Sequence, residues 1–435
     1  MRGGWLVCSF AAVAAVSLVP DTAHAIPVFA RVYGKPCSAC HTVFLLLNPA
    51  GEAFRARGLH GIPPVVKPIK IVPGGLDLPG TLPVAASLAA GEDVTSVKVT
   101  GSEGSTLSHF NLNYLALLAG GEIGPYMAAL FDFAPLFAIP RTGDLFENKR
   151  MGLGFLQAHA DAADWLINLR GGLFELPLGT SPRVHRLSAQ SYLLYQVNAF
   201  SLLGLRPPVD KRSDSLSLAS TQYGAELSGL QDAETTANWA VGFTSGSNNR
   251  SDNNDAMDVF GRLGVNWGLH RAGFFVYYSP DTLSAGVHDP AWRFGPDAQL
   301  YYRQVTVRAQ LLAGKDSNPT GSHRDFWYYG GFIEGDYRVL ANLAALGRFE
   351  YVGTPNFNDS KDNGPHVERD VLQVTGGLQW LVLENVKVVL ETTYGENRDS
   401  VSDRKAKTWA GTIRVASAFW VPVPAAMEEW LGGLT

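Results

Sequence analysis

The sequence predicts an all-β transmembrane barrel of about 16 strands, with a small N-terminal α-helical segment that plugs its lumen. Beyond the N-terminus there is no run of about 18 uncharged apolar residues, which excludes transmembrane helices. From about residue 80 onward, short runs alternate apolar with polar residues, and their connections alternate between short and long. Charged residues make up only 17% of the chain, and the net charge of −5 argues against a nucleic-acid partner.

Residues 1–25 have the pattern of an export signal. Arg2 precedes an apolar stretch over residues 5–19, and residues 23–25 form an A-x-A cleavage site. The alternative is a membrane anchor, but the apolar stretch is short and interrupted by serines. We therefore expect the mature chain to begin at Ile26.

A C-x-x-C-H motif follows soon after the signal, formed by Cys37, Cys40 and His41. This pattern is typical of c-type haem attachment, in which two thiols bind the haem covalently and the histidine ligates the iron. A dithiol redox pair and half of a zinc site are the alternatives. The first requires a βαβ setting and the second a further ligand pair, and the sequence shows neither. The motif thus predicts one haem c, with His41 as the proximal ligand.

The sixth ligand of this haem iron is an open question. His60 is the only other histidine in the haem segment, and a predicted helix over residues 49–57, ended by Gly58, would turn the chain back to present it. A solvated loop position is the alternative for His60. Ligands from the surrounding predicted strands are also candidates: Met127, Met151, His109 and His159.

The strand signal is a period of two over many short segments. Residues 305–311 and 386–394 alternate apolar with polar side chains, and the same pattern occurs at 237–244, 342–351 and 409–419. Strands of roughly 10 residues with aromatic residues near their ends are the signature of outer-membrane barrels. A large exported β-sandwich or propeller is the soluble alternative.

Connection lengths give the strand count, because outer-membrane barrels have short periplasmic turns and longer external loops. Long connections are predicted near 247–256, 280–292, 315–325, 353–366 and 397–406, and short ones near 231–235, 268–270, 303, 337–340 and 384–385. The alternation continues if 177–216 is one long external connection and the first strand lies near 83–92. Its apolar residues 192–205 resemble a strand, but we expect them instead to belong to a loop that folds into the lumen.

The predicted organisation is therefore a signal peptide at 1–25, a monohaem cytochrome c segment with its linker at 26–76, a barrel at 77–420 and a tail at 421–435. A segment as short as 26–76 rarely buries a sufficient core alone and usually needs a stabilising cross-link, a bound cofactor or a partner. The covalent haem would stabilise the segment, and the barrel lumen is wide enough to hold it. Both considerations predict that the haem segment lies in or at the barrel mouth.

The N-terminal part resembles a known family, the fused monohaem cytochrome-porins of the bacterial outer membrane. The similarity covers about 50 residues: the sequence IPVFAR at 26–31, the motif at 37–41, and Asn48, Gly51, Phe54 and Gly58. Characterised members of this family oxidise extracellular ferrous iron. The resemblance implies a haem plug in a roughly sixteen-stranded barrel. It also implies that electrons pass from an extracellular donor to periplasmic cytochromes.

The resemblance leaves the donor and the direction of electron flow open. An outward-acting extracellular reductase would share the architecture, as would a diffusion porin with a structural or sensory haem plug. No motif for acid–base or nucleophilic catalysis is recognisable. The expected activity is thus electron transfer by a protein embedded in the lipid of the outer membrane, with ferrous-iron oxidation as the leading hypothesis.

Overall fold

A closed β-barrel forms the main body of the chain. The computed structural model describes residues 28–36, 39–43, 46–63, 65, 69–70, 77–78, 84–133, 151–162, 165–185, 187–204, 217–231, 235–246, 256–280, 282–283, 287–359, 365–383 and 385–420. The predicted signal peptide and the C-terminal tail lie outside these residues. No helix within the described residues is long and apolar enough to cross a bilayer.

Sixteen strands make up the barrel, each antiparallel to its neighbours in sequence, and the last pairs with the first to close the sheet. They are β1 Val84–Val99, β2 Ser105–Ile123, β3 Met127–Phe133, β4 Met151–Ala162, β5 Trp165–Glu175, β6 Thr221–Gln231, β7 Thr235–Thr244, β8 Asp258–Trp267, β9 His270–Ser279, β10 Ala291–Tyr302, β11 Val305–Asp316, β12 Phe326–Leu340, β13 Leu343–Gly353, β14 Arg369–Leu383, β15 Val386–Asp399 and β16 Arg404–Trp420. The predicted strand count is confirmed. Closure leaves no unpaired sheet edge, as a membrane-spanning sheet requires.

The two faces of the barrel differ as the period of two predicts. On β11, Leu311 is 61% exposed on the outer face, whereas Arg308 and Gln310 are each 1% exposed on the inner face. On β13, Phe349 is exposed and Arg348 is buried in the same way. The outer face is thus apolar and suited to lipid, and the inner face carries the charged and polar side chains.

The connections sort into a short-turn end and a long-loop end. Connections of only two or three residues join strands at 124–126, 163–164, 232–234, 268–269, 303–304, 341–342 and 384–385. The other end carries the connections at 100–104, 134–150, 176–220, 245–257, 280–290, 317–325, 354–368 and 400–403. The long connection predicted near 397–406 is shorter than expected and covers only 400–403, because both flanking strands extend further. One predicted turn is misplaced: β12 runs through to Leu340 and turns at 341–342, not at 337–340. The cause is an irregularity in the register between Arg338 and Leu340, which lets apolar residues continue the strand.

The described part of the longest connection folds inward, as the sequence predicts. We call residues 176–204 the inner loop; it contains helices α3 Leu193–Gln196 and α4 Ala199–Leu203. Its side chains pack in one apolar cluster with inward-facing aromatic residues of the wall, such as Phe332 on β12. The apolar stretch that resembles a strand is therefore helical, and it is buried against the inner wall.

The N-terminal segment, residues 28–63, supplies two further helices. They are α1 Val28–Tyr33 and α2 Pro49–Ala56. Between them a short ladder pairs His41–Val43 with Leu46–Leu47. Val32, Tyr33, Phe54 and Leu59 pack with small residues of β1 and β3, and Tyr33 donates to the carbonyl of Leu59. The remaining short ladders pair residues 69–70 with 77–78, 282–283 with 287–288, and 357–358 with 366–367.

Candidate functional site

The haem-attachment motif lies where the short ladder meets α2. Cys40 and His41 are described and half-buried, and Cys37 lies outside the described residues. Asn48 joins the motif to the helix: its backbone N–H donates to Cys40 (2.9 Å), and its side-chain amide donates to Ala39 (3.2 Å). Its side-chain oxygen accepts the N–H of Gly51 (2.9 Å), which makes Asn48 the N-cap of α2. The motif and the helix are therefore held as one unit.

Gly51 and Gly58 explain two features of the sequence. A Cβ atom at Gly51 would lie 2.2 Å from the carbonyl oxygen of Cys40, so only glycine lets the helix approach the motif this closely. Gly58 has a φ of +61° just after α2, which confirms the predicted end of the helix. The predicted helix over 49–57 is confirmed to within one residue.

The barrel wall beside His41 belongs to the short-turn end. His41 lines a cavity of about 610 Å³ with Thr42, Asn48, Gln304, Arg338, Val339, Leu340 and Ala341. This volume is within the roughly 300–1,000 Å³ usual for small-molecule and cofactor sites. Close by, Leu46 packs between Leu187 of the inner loop and Leu346 of β13. The wall residues thus come from the turn between β10 and β11, from the end of β12 and from the turn that follows β12.

Burial and a nearby positive charge keep the imidazole of His41 neutral, which is the form that can ligate a metal. Burial lowers the pKa of His41 to about 4, partly offset by a backbone hydrogen bond at Leu46, and the positive charge of Lys387 lowers it further. The ring is therefore neutral at pH 7, which leaves a nitrogen lone pair for an iron ion. Burial also raises the pKa of the Cys40 thiol. A neutral histidine beside a thiol and a cavity of this volume fit a covalently attached haem.

His60 lies elsewhere. It lines a second cavity of about 1,010 Å³, which separates α2 from the wall between β4 and β10. Its Nδ1 is 2.6 Å from the carbonyl oxygen of Gly58, its Nε2 is 3.1 Å from that of Gly124, and its ring centre is 4.3 Å from that of His159. His41 and His60 thus line different cavities, and the distal-ligand role of His60 stays a prediction.

The other candidate ligands lie on strands, as predicted. His109 is on β2, Met127 on β3, and Met151 and His159 are on β4. Met127 is 40% exposed, and His159 belongs to the cavity of His60. None of His109, Met127 and His159 is among the described residues that line the cavity of His41. Within the described residues, no three His, Cys, Asp or Glu side chains are arranged to hold a metal ion.

A cluster of charged groups fastens α2 to the inner wall and the inner loop. The Glu52 carboxylate lies 2.6 Å from Arg271 on β9 and 3.0 Å from the Nε2 of His185. Burial alone would raise the pKa of Glu52, but His185 and Arg271 together lower it to about 2. Arg55, one turn further along α2, lies 2.6 Å from Glu175 at the end of β5. One face of the helix is thereby tied down at two points, one turn apart.

His185 is held in its neutral form. Its Nδ1 accepts the backbone N–H of Ser181 (2.8 Å), and its Nε2 faces Glu52. Burial and the adjacent Arg271 lower its pKa to about 4, although Glu52 acts in the opposite direction. His185 and Arg271 have no signal in the sequence, because they meet α2 across 133 and 219 residues respectively. Arg338, in the cavity of His41, was missed for the same reason.

The comparisons with known proteins concern the barrel. No protein-family model and no curated protein matches the chain. Among solved structures it is similar to an anion-selective porin from Comamonas acidovorans, with a TM-score of 0.52 and 10% identity over 77% of this chain and 99% of that chain. It is also similar to the outer membrane channel DcaP of Acinetobacter baumannii, with a TM-score of 0.51 and 11% identity over 80% of this chain and 99% of that chain. The chain therefore has the fold of an integral outer-membrane porin barrel.

Proposed function

We propose that this protein carries electrons across the outer membrane through one haem c, attached by Cys37 and Cys40 and ligated by His41. The proposed donor is extracellular ferrous iron, and the proposed acceptor is a periplasmic cytochrome. One observation carries the proposal: the histidine of a C-x-x-C-H motif lines a cofactor-sized cavity at the short-turn end of a porin-type barrel. In outer-membrane barrels the short turns are periplasmic, so this cavity would face the acceptor.

The proposed chemistry needs little from the protein beyond position and environment. Bound haem supplies a one-electron couple whose potential depends on its ligands and on its surroundings. The chain would hold the haem through two thiols and one imidazole. Asn48 and Gly51 fix the attachment motif against α2. The apolar side chains of Val339 and Leu340 lie on the lining of the same cavity. In this proposal the N-terminal segment is the predicted haem plug.

The fastening of α2 supports a plug that stays in place. Glu52 contacts β9 and the inner loop, and Arg55 contacts β5, so leaving the lumen would break ion pairs to three different elements. Removing one partner of such a pair leaves an uncompensated charge in a poorly hydrated site. A carrier that must exchange electrons repeatedly at one mouth of the barrel benefits from this rigid attachment.

A diffusion porin is the second candidate. The fold is that of porins, and the second cavity, about 1,010 Å³ between α2 and the wall, offers space beside the N-terminal segment. This candidate predicts measurable solute flux and a haem that no external donor reduces. An outward-acting reductase instead predicts a low haem potential, whereas iron oxidation requires a high one.

The first test is attachment of the haem. We expect protein exported with a functional c-type maturation system to gain the mass of one haem, and Cys40→Ser and His41→Ala to assemble as barrels with altered or absent haem. Ferrous iron added outside intact vesicles should then change the haem absorption bands. Absence of covalent haem in the wild type would contradict the proposal, and rapid solute flux without haem reduction would favour the porin.

A further inference from the structure

Arg338 occupies a distinctive position at the mouth of the barrel. It follows Glu334 and Asp336 at intervals of two on β12, so it belongs to the inward-facing set of that strand. Its backbone N–H donates to the carbonyl of Gln304 (2.9 Å). Both residues line the cavity of His41. Because β12 turns only after Leu340, Arg338 lies at the short-turn rim of that cavity.

Other arginines of the inner wall have carboxylate partners. Ion pairs join Arg170 to Glu226, Arg262 to Asp297, Arg271 to Glu52, Arg293 to Asp316, Arg308 to Asp336 and Arg348 to Glu350. Arg338 has no ion pair with any residue that the structure describes. A guanidinium at a cavity rim without a carboxylate is suited to bind an anion by a pair of parallel hydrogen bonds.

The charge around the cavity is positive as well. None of its described lining residues is acidic, and Lys387 acts on His41 as a nearby positive charge. A haem carries two propionate carboxylates, which are the anions that this site would meet if the motif holds a haem. Arg338 is exposed at the rim of this cavity, and its guanidinium would gain a carboxylate partner when the haem is attached.

We infer that Arg338 binds a haem propionate and raises the haem potential, an inference that rests on the proposed function. A positive charge near the iron stabilises the reduced form, because that form carries one positive charge fewer. The higher potential suits a haem that accepts electrons from ferrous iron. Arg338 is in this respect a positioning and tuning residue that does not ligate the iron.

The test compares Arg338→Gln, Arg338→Lys and the control Arg303→Gln. Arg303 is exposed in the adjacent turn, does not line the cavity and stacks over Tyr302, so it matches Arg338 in charge and location at the rim. The readouts are covalent haem content, by mass, and the midpoint potential, by spectroelectrochemical titration of the full-length protein. We expect the potential to fall in Arg338→Gln, to be retained largely in Arg338→Lys and to stay unchanged in Arg303→Gln.

The outcomes separate the inference from the proposed function. Wild-type protein without covalent haem would overturn both. Full haem content with the same potential in Arg338→Gln as in the wild type would overturn the inference alone, as would an equal fall in Arg303→Gln. Should Arg338→Gln fail to assemble, Arg338→Ala takes its place: with normal haem content, a potential below those of the wild type and of Arg303→Gln supports the inference, and a potential equal to that of the wild type contradicts it.

Discussion

The inner loop and the N-terminal segment both contact the inner wall of the barrel, but they do so through different chemistry. Tyr192, Leu194 and Tyr195 of the inner loop are at most 1% exposed and pack against Phe332 and other aromatic side chains of the wall. The N-terminal segment has a smaller apolar cluster, in which the buried wall residues are the small Ala85 and Ala128, and α2 adds ion pairs to the wall. The inner loop is therefore held by a large apolar cluster, and the N-terminal segment by a small one together with charge.

This difference suggests different roles. Apolar burial contributes about 25 cal/mol per Å² regardless of orientation, which suits a structural filling of the lumen. Ion pairs contribute little net stability once desolvation is included, but they fix position and register. A segment that holds a cofactor benefits from exact placement more than from stability. The comparison thus favours the inner loop as the structural element and the N-terminal segment as the functional one.

The largest expected effect comes from the inner loop. Leu194→Ala removes a buried side chain from the apolar cluster and should lower the free energy of unfolding by about 2–5 kcal/mol. The measurement is urea unfolding in phospholipid vesicles, followed by tryptophan fluorescence. Leu311→Ala is the control. Because Leu311 is 61% exposed on the lipid-facing side, this substitution should lower the free energy of unfolding clearly less. Equal costs would show that the inner loop is not packed inside the barrel.

Acid should loosen the N-terminal segment. The pKa of His185 is about 4 in the folded protein against an ordinary value of 6.5, so its contribution to stability is present above pH 6.5 and is lost as the pH falls to 4. The shift corresponds to a loss on the order of 3 kcal/mol. Protonation of His185 places a positive charge beside Arg271. The contribution of Glu52 to the stability of the protein is lost at lower pH, as the pH falls from 4.5 to about 2. The measurement is the rate of proteolysis within residues 28–63 between pH 7 and 4.

The variant His185→Gln tests whether protonation of His185, and not of other groups, loosens the segment in acid. His185→Gln keeps a hydrogen-bonding side chain but has no proton to gain, so the pH dependence between 6.5 and 4 should become much flatter. A proteolysis rate that rises equally with acid in the wild type and in His185→Gln would refute this origin.

Gly51→Ala tests the close approach of α2 to the motif. The added Cβ would lie 2.2 Å from the Cys40 carbonyl, which forces a backbone shift at a cost of about 1–3 kcal/mol. We expect lower covalent haem content by mass, because the thiol and His41 are displaced. Ala50→Ser, exposed on the same helix, is the matched control and should retain the haem. Normal haem content in Gly51→Ala would mean that the helix does not constrain the motif.

Glu52→Gln should have the smallest effect. Glu52 is 22% exposed, so loss of its contact with Arg271 should weaken attachment of α2 by about 1–2 kcal/mol and speed trypsin cleavage at Arg55 and Arg57. Glu103→Gln, in an exposed connection, controls for the change in net charge. If cleavage is as slow in Glu52→Gln as in Glu103→Gln, the segment is held by other contacts.

The sequence alone predicted the barrel well and the site only in part. Period-two patterning and connection lengths are local signals, so the sixteen strands, the inner loop and α2 could all be predicted. The turn after β12 was misplaced because Val339 and Leu340 extend the strand beyond the expected turn. Contacts such as those of Glu52 with Arg271, and the position of Arg338 in the cavity of His41, depend on which strands close the barrel beside the segment. No local pattern carries that information.

The most direct test of inward electron transfer uses vesicles that contain the holoprotein in one orientation and trap oxidised cytochrome c inside. Ferrous iron is added outside only, and the absorbance of the trapped cytochrome is followed. We predict that the trapped cytochrome is reduced in the wild type, and that reduction is lost in His41→Ala although the barrel is assembled. A trapped cytochrome that stays oxidised while the attached haem is intact, or one that is reduced equally in His41→Ala, would contradict the proposed electron conduit.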